Sequence, residues 1–201
     1  MLLKYNNEQY NLNSDSIIPT VIEKINEALE SKDTVFSHLV VNGVEVYENH
    51  EEYLKLHKNE ITETEIIISD MKEMIWNTMK SIHEYLVGAM PALEDLINNS
   101  YQSFSKSTWE GIDQLAEAMQ WILQFKEVTS SAHSQPAHWT EIEKHILTCE
   151  ESFSKLMEAV EIKDTILISD ILAYEITPAF QSLENQLAEA LKDREYLKNV
   201  N

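Results

Sequence analysis

Apolar residues recur along the chain with two different periods, and the period changes near residue 70. Before that point, short apolar runs are separated by turn-forming pairs. Asn6-Asn7 separates Leu2 to Tyr5 from Gln9 to Leu12, and Asn42-Gly43 separates two runs rich in β-branched residues. Both pairs can adopt positive φ and so match the twist of a hairpin. The pattern therefore predicts two hairpins in the first seventy residues.

A helix is predicted after each hairpin. The first has a cap at Ser14 or Asp15 and places its apolar residues on one face. The second is short and begins with capping-box spacing at Asn49, and Thr62 to Ile68 follows as a last strand. The order hairpin, helix, hairpin, short helix, strand resembles the β-grasp fold of ubiquitin over residues 1–69. That resemblance implies a small scaffold often used to bind proteins.

From residue 70 onward the apolar spacing is that of amphipathic helices. Four such segments are predicted as helices, over about 71–99, 108–126, 136–161 and 164–198. Pro91 and Pro178 are expected to bend the first and the last of them. Asn98 to Ser100 and the polar segment 127–135 are predicted as breaks. The sequence thus predicts an α+β protein, with a β-grasp-like domain (1–69) followed by an antiparallel four-helix bundle (70–201).

The letters Ile-(Ile/Leu)-Ile-Ser-Asp occur twice, ending at Asp70 and at Asp170. The first copy follows an alternating Thr-Glu-Thr-Glu run, and its Asp70 carries a helix-start signal with Glu73. The second copy extends into a long stripe at helical spacing, with Asp164 as its cap. We therefore predict a strand and a helix rather than a structural repeat.

Composition narrows the classes of partner. The net charge is −20, and no cluster of Lys and Arg is present to bind phosphate backbones or anionic membranes. No apolar run approaches the roughly 20 residues that a membrane-spanning helix needs. The single cysteine, Cys149, excludes an internal disulfide and is expected to be a small buried side chain. We expect a cytoplasmic protein that binds neither nucleic acid nor membranes.

A metal-site hypothesis concerns His138, Glu141 and His145, which share one helical face, with His133 nearby in the preceding polar segment. The alternative is a solvated loop and helix start, since the Glu-x-x-His pairs of di-iron bundles, His-Glu-x-x-His and Cys-x-x-Cys are all absent. No cofactor is expected. Nucleophile elbows and glycine-rich phosphate loops are also absent, which predicts that the protein is not an enzyme.

A polar pocket is predicted near the last proline. Asp170, Tyr174 and Glu175 lie close to Pro178 along the last helix, and a helix break there would open space between helices. His83 of the first long helix is the fourth candidate. The alternative is that these residues are boundary groups satisfied by their neighbours.

Trp109-Glu110-Gly111 resembles the Trp-x-Gly motif in the bend of small helical-hairpin substrates of type VII secretion. Here the motif lies inside a longer chain with an α/β region in front of it. The alternative is an aromatic residue packing at a helix start, with glycine allowing the preceding helix to come close. The helical part as a whole resembles uncharacterised cytosolic proteins of Gram-positive bacteria, a resemblance that implies no activity.

Three hypotheses of function follow from these patterns. The first is a non-catalytic protein-interaction protein, an adaptor or chaperone-like binder, whose partners are proteins and include a second copy of the chain. The alternative is a small-molecule or metal-binding sensor that uses the bundle interior around Asp170, Tyr174, Glu175 and His83. An enzyme of a type without recognisable motifs is a third hypothesis.

Overall fold

A computed structural model describes residues 1–13, 16–30 and 34–197 of the chain. Two compact units divide the chain, Met1–Met74 and Ile75–Asn201. The first unit is organised around a sheet, and the second contains only helices and turns in its described part. The α+β class predicted from the sequence is confirmed.

The sheet of the first unit is mixed. Its strands are β1 (Leu2–Tyr5), β2 (Glu8–Asn11), β3 (Thr34–Val41), β4 (Val44–Val46) and β5 (Glu63–Asp70). Within the described residues these five strands have the order β2-β1-β5-β3-β4. The central pair, β1 and β5, is parallel, and the other neighbours are antiparallel. Both predicted hairpins are present, as β1-β2 and β3-β4.

The hairpin turns have the backbone geometry that the sequence predicts. Asn6 and Asn7 have φ of 51° and 63°, and Asn42 and Gly43 have φ of 51° and 83°. The Asn42 side chain also accepts hydrogen bonds from the backbone N–H groups of Thr62 (2.9 Å) and Glu63 (3.0 Å). This turn residue therefore also anchors the start of β5.

Two helices accompany the sheet, α1 (Ile17–Glu30) and α2 (His50–Leu56). The buried face of α1 joins residues of β1, β3 and β5 in one apolar cluster. The cap predicted at Ser14 or Asp15 lies outside the described residues. The capping box predicted at Asn49 is wrong, because Asn49 adopts a left-handed conformation (φ 50°) and its side chain makes no capping hydrogen bond.

The second unit is a bundle of helices. Its elements are α3 (Met71–Gln102, whose first turn belongs to the first unit), α4 (Lys106–Ser131), α5 (Trp139–Glu161), α6 (Thr165–Ile171), a π-helical turn (Leu172–Ile176), α7 (Thr177–Ala190) and a 3-10 turn (Arg194–Leu197). No loop separates β5 from α3. Asp70 Oδ1 accepts hydrogen bonds from the N–H groups of Lys72 (2.7 Å) and Glu73 (3.2 Å), which confirms the predicted start signal.

Two predicted breaks are wrong or misplaced. Helix α3 continues through the predicted stop at Asn98 to Ser100, where the Ser100 hydroxyl donates to the carbonyl of Ile97 within the helix (2.8 Å). Helix α4 begins earlier than predicted, with a reciprocal capping box between Ser105 and Thr108. It also continues to Ser131, because the buried Thr129 extends its apolar face into a polar stretch that we predicted as loop.

The last predicted helix is interrupted by the π-helical turn. Pro178 has no N–H and its ring would clash with the carbonyl four residues earlier in an α-helix. Instead, the Thr177 N–H bonds to the carbonyl of Leu172, five residues back, and the Thr177 hydroxyl donates to the same oxygen (2.8 Å). The helical structure ends at Ala190 before the 3-10 turn, short of the predicted 198. Pro91, in contrast, lies inside α3 without ending it.

Candidate functional site

A groove of about 580 Å³ lies between α3 and α4. Its walls are rich in small side chains: Gly88, Ala89 and Ala92 on α3, and Ser107, Thr108 and Gly111 on α4. The backbone of α5 approaches α4 and α7 more closely than α3 approaches either of its neighbours. A wide helix pair with small side chains on both walls leaves a surface depression, because neither wall has bulk to fill it.

Two glycines of the groove have different surroundings. A Cβ added to Gly111 would lie 2.8 Å from Leu96 Cδ1, so the Leu96 side chain already occupies the space over Gly111. A Cβ added to Gly88 would meet no atom within 4 Å. Gly111 is thus explained by packing within the bundle, whereas no packing contact explains Gly88.

The groove carries acidic side chains at its edge. Glu84 and Asp95 line it, and no Lys or Arg does. The Nζ of Lys80 lies 3.6 Å from Glu84, but both side chains are more than 60% exposed, at 61% and 63%, so this pair is screened by solvent. Asp95 has no ion pair within the described part of the chain. The groove therefore combines small and apolar groups with two carboxylates at its edge, of which Glu84 has a solvent-screened lysine partner.

Tyr85 adds a polar group to the same groove. Its ring packs edge-on against Trp121 of α4, with ring centroids 6.3 Å apart. Burial raises the pKa of the Tyr85 hydroxyl above its ordinary value, so this group stays neutral and can donate a hydrogen bond. Leu93 and Leu115, both buried, form the apolar floor below it.

The predicted polar pocket forms only in part. The Tyr101 hydroxyl of α3 donates to Asp170 of α6 at 2.6 Å, and this hydrogen bond to the carboxylate raises the pKa of Tyr101 to about 12. Tyr174 lies next to Tyr101 and is itself 74% exposed. The structure thus brings Asp170 and Tyr174 together around a third residue, at the surface rather than inside the bundle.

Glu175 and His83 belong to two other contacts. Glu175 forms an ion pair with Lys155 of α5, with Nζ and Oε2 2.6 Å apart. His83 Nε2 of α3 lies 3.0 Å from Oε1 of Glu184 on α7. The four predicted residues therefore form three separate bridges between helices, and none of the four lines the α3–α4 groove.

The weak metal candidates are not brought together as a site. His138 precedes α5 in a left-handed conformation (φ 61°) and is exposed, as are His133 and Glu141, while His145 is half-buried. Over residues 1–13, 16–30 and 34–197, no three His, Cys, Asp or Glu side chains are grouped so that they could hold a metal ion. Cys149 is fully buried, as predicted, and burial raises the pKa of its thiol to about 12.

Trp109-Glu110-Gly111 lies inside α4, not in the bend before it. Trp109 packs against Phe104 of that bend, with ring centroids 4.9 Å apart. Gly111 accommodates Leu96 of the preceding helix. These contacts are the packing arrangement that we gave as the alternative to a secretion motif.

Sequence reasoning missed the groove, although one signal was present. Gly88 lies in the middle of a segment with strong helical spacing, and glycine there destabilises a helix by about 1 kcal/mol relative to alanine. Neither a turn nor a helix end occurs at this position. A glycine without a backbone reason is the signal from which the groove could have been predicted.

Comparison with known proteins gives one match. A family model described as a domain of unknown function, DUF8042, matches residues 77–186. No curated protein and no solved structure matches the chain. In the part of the chain that the structure describes, no helix is both long enough and apolar enough to cross a membrane. The matched region contains the α3–α4 groove and all three helix-to-helix bridges, and since it spans more than half of the chain, the protein belongs to the DUF8042 family.

Proposed function

We propose that this protein is a non-catalytic protein-interaction module, an adaptor or chaperone-like binder, and that its α3–α4 groove receives a segment of a partner protein. The observation that carries this proposal is the open space beside Gly88, in a groove of about 580 Å³. A protein partner would fill that space with its own side chains and remove from water the apolar wall groups that are still at least partly exposed, such as Ala92 and Leu96.

The cost of glycine to helix stability at position 88 supports a functional reason for the open space beside it. Alanine at this position would stabilise α3 by about 1 kcal/mol and would clash with nothing. A glycine that is unfavourable for the helix and has no packing role is explained if a partner's backbone comes close to it. Functional sites are where local rules of stability are commonly broken.

The polar groups elsewhere in the bundle fit a structural role. Asp170, Glu175 and His83 each have a hydrogen-bond or ion-pair partner on another helix. A catalytic acid, base or nucleophile needs a reacting group within reach in a sheltered site. These groups instead connect helices, which supports the proposal that the protein is non-catalytic.

Co-purification with a variant pair tests the proposal. Gly88→Leu would place a branched side chain in the open part of the groove without meeting other atoms near Cβ. Ser154→Leu, at an exposed position of α5 away from the groove, is the matched control. Tagged protein is isolated from its own host, and bound proteins are quantified by mass spectrometry.

The expected result is a set of proteins enriched by wild type and by Ser154→Leu but lost with Gly88→Leu. Equal enrichment by all three proteins, or no enrichment by any of them, would overturn the groove as a protein-binding site. Melting curves of the three proteins confirm that each is folded before the comparison.

The volume of the groove favours a second candidate, a small-molecule sensor. About 580 Å³ lies within the roughly 300–1,000 Å³ that small-molecule sites occupy, and Tyr85 provides a neutral polar group beside apolar walls. Native mass spectrometry of protein from its own host tests this function. A bound mass present in wild type and absent from Gly88→Leu would support it, and unliganded wild type would count against it.

We also propose that the first unit is a β-grasp domain and that the protein is cytoplasmic. Support for the first comes from the parallel pair β1 and β5 at the centre of the sheet, with a hairpin at each side and α1 packed on the apolar cluster. Superposition of the first unit on ubiquitin tests it. Fractionation of the host cell tests the location.

A further inference from the structure

We propose that the occupant of the α3–α4 groove is a basic amphipathic helix of a partner protein. This inference rests on the proposed function and adds the conformation and charge of the partner segment. Shape, backbone chemistry and electrostatics of the groove each support it.

The groove is elongated along α3. At 1.5 Å per residue, the lining residues on α3, from Glu84 to Asn99, cover about 22 Å along the helix axis, and those on α4, from Ser107 to Leu115, cover about 12 Å. A helix of about two to four turns has a length in this range. Small side chains on the walls would let such a helix lie close to both α3 and α4, as close helix packing requires.

The chemistry of the walls disfavours an extended partner strand. A strand is recognised mainly by hydrogen bonds to unpaired backbone N–H and C=O groups at a sheet edge. All of the lining residues lie within α3 and α4, where the backbone groups beyond the first turn of α4 are bonded along the helix. The groove therefore offers side chains and apolar surface, which is what the apolar face of an amphipathic helix recognises.

The electrostatics select a basic partner. Between Lys80 and Lys106, and again between Lys106 and Lys126, the sequence contains no Lys or Arg. Of the acids in these two stretches, Glu84 and Asp95 line the edge of the groove, whereas Glu110 is paired with Lys106 at 2.9 Å. Lys and Arg on the flanks of a partner helix would pair with this edge, whereas an acidic partner would be repelled. A second copy of a chain with net charge −20 is disfavoured for the same reason.

A designed peptide serves as the probe. It is a labelled helix of about four turns, with Ala and Leu on one face and Lys on the other. One matched peptide replaces every Lys by Glu, and a second keeps the composition but scrambles the order so that no apolar face forms. Binding to the full chain is measured by fluorescence anisotropy at low and at physiological salt.

The wild-type protein and Ser154→Leu are expected to bind the basic amphipathic peptide at least about tenfold more tightly than Gly88→Leu does. The double variant Glu84→Gln with Asp95→Asn is expected to weaken binding several-fold and to reduce its dependence on salt. If Gly88→Leu does not fold, Ala92→Leu, at an exposed position of the same groove, replaces it.

The controls separate this inference from a generic attraction between opposite charges. Equal binding of the scrambled peptide, or binding that Gly88→Leu leaves unchanged, would overturn the inference. Equal or tighter binding of the Glu peptide would overturn the inference that the partner helix is basic.

Failure of the inference differs from failure of the proposed function. If the basic peptide does not bind but Gly88→Leu still removes co-purifying proteins, the partner's chemistry is wrong and the protein-interaction function stands. If Gly88→Leu changes neither the set of co-purifying proteins nor the binding of the basic peptide, both proposals are overturned.

Discussion

Helix α3 contacts α4 in a different way from α6 and α7. Toward α6 and α7 it is held by side-chain bridges, from Tyr101 to Asp170 at 2.6 Å and from His83 to Glu184 at 3.0 Å. Toward α4 it packs on the buried floor below the groove. Along the α3–α4 seam, the line where these two helices face each other, the Leu96 side chain fills the space at Gly111, whereas the space beside Gly88 is open. The two sides of α3 thus differ in kind, with paired polar side chains on one side and an open stretch beside Gly88 on the other.

The largest effect is expected at the filled part of the α3–α4 seam. Gly111→Leu forces a side chain into the space of Leu96, whose Cδ1 lies 2.8 Å from where a Cβ would be. Overpacking in a core costs about 1–3 kcal/mol, and because Leu96 is half-buried and the end of its side chain can move, we expect a loss toward the lower end, about 1.5 kcal/mol in the free energy of unfolding. Urea denaturation measures it.

The same substitution at Gly88 is the control for that prediction, since it meets no atom near Cβ. We expect Gly88→Leu to unfold at the wild-type urea concentration or above it. Equal destabilisation by both leucines would mean that the two parts of the seam do not differ.

A smaller effect of opposite sign is expected from Gly88→Ala. Alanine improves helix propensity without a clash, so the free energy of unfolding should rise by about 1 kcal/mol. Gly111→Ala gains the same propensity but must displace Leu96, and it should be stabilised less. Thermal melting of both variants checks the order, and a reversed order would contradict the geometry of the seam.

On the bridged side, a double-mutant cycle on His83 and Glu184 should give a small coupling. Both side chains are about a quarter exposed, at 24% and 23%, and such partly exposed pairs contribute about 0.5 kcal/mol. The variants are His83→Ala, Glu184→Ala and both together, compared by urea denaturation. A coupling near zero would show that this bridge does not hold α3.

The smallest effect on stability concerns Tyr101, but it has a distinct pH signature. Its pKa is raised from 10.0 to about 12 in the folded protein, because its hydroxyl donates to the Asp170 carboxylate. The neutral form is favoured by folding, so this contribution is complete below pH 10 and is lost as the pH rises through about 12.

Alkaline absorbance titration detects the shift as the difference between wild type and Tyr101→Phe. Asp170→Asn should lower the pKa of Tyr101 toward its ordinary value, because the carboxylate that favours the neutral hydroxyl is gone. An unchanged titration would show that the hydrogen bond does not persist in solution.

The fold was largely predictable because it depends on local periodicity. Ile66 to Asp70 and Ile166 to Asp170 have nearly the same letters, yet the first forms the end of β5 and the second lies in α6. In the strand Ile66 is buried, whereas at the equivalent helical position Ile166 is 70% exposed. Flanking residues decide between the two structures, and that information is present in the sequence.

The candidate site was not predictable in the same way, because it depends on pairs of residues far apart in the chain. Asp170 was identified from its neighbours along the last helix, but its partner Tyr101 comes from α3. The groove likewise depends on the separation between α3 and α4, which no local pattern encodes. Gly88 was visible only as an unexplained glycine, and the structure shows the open space beside it.

The π-helical turn at Leu172–Ile176 has a consequence for comparing family members. A π-helical turn contains one residue more than the α-helix it interrupts, so a relative without it could be one residue shorter here. Aligning two such chains would then require a gap inside an apparently continuous helix. The stripe of buried residues on either side, from Ile168 and Ile171 before the turn to Phe180 and Leu183 after it, would still occupy equivalent positions.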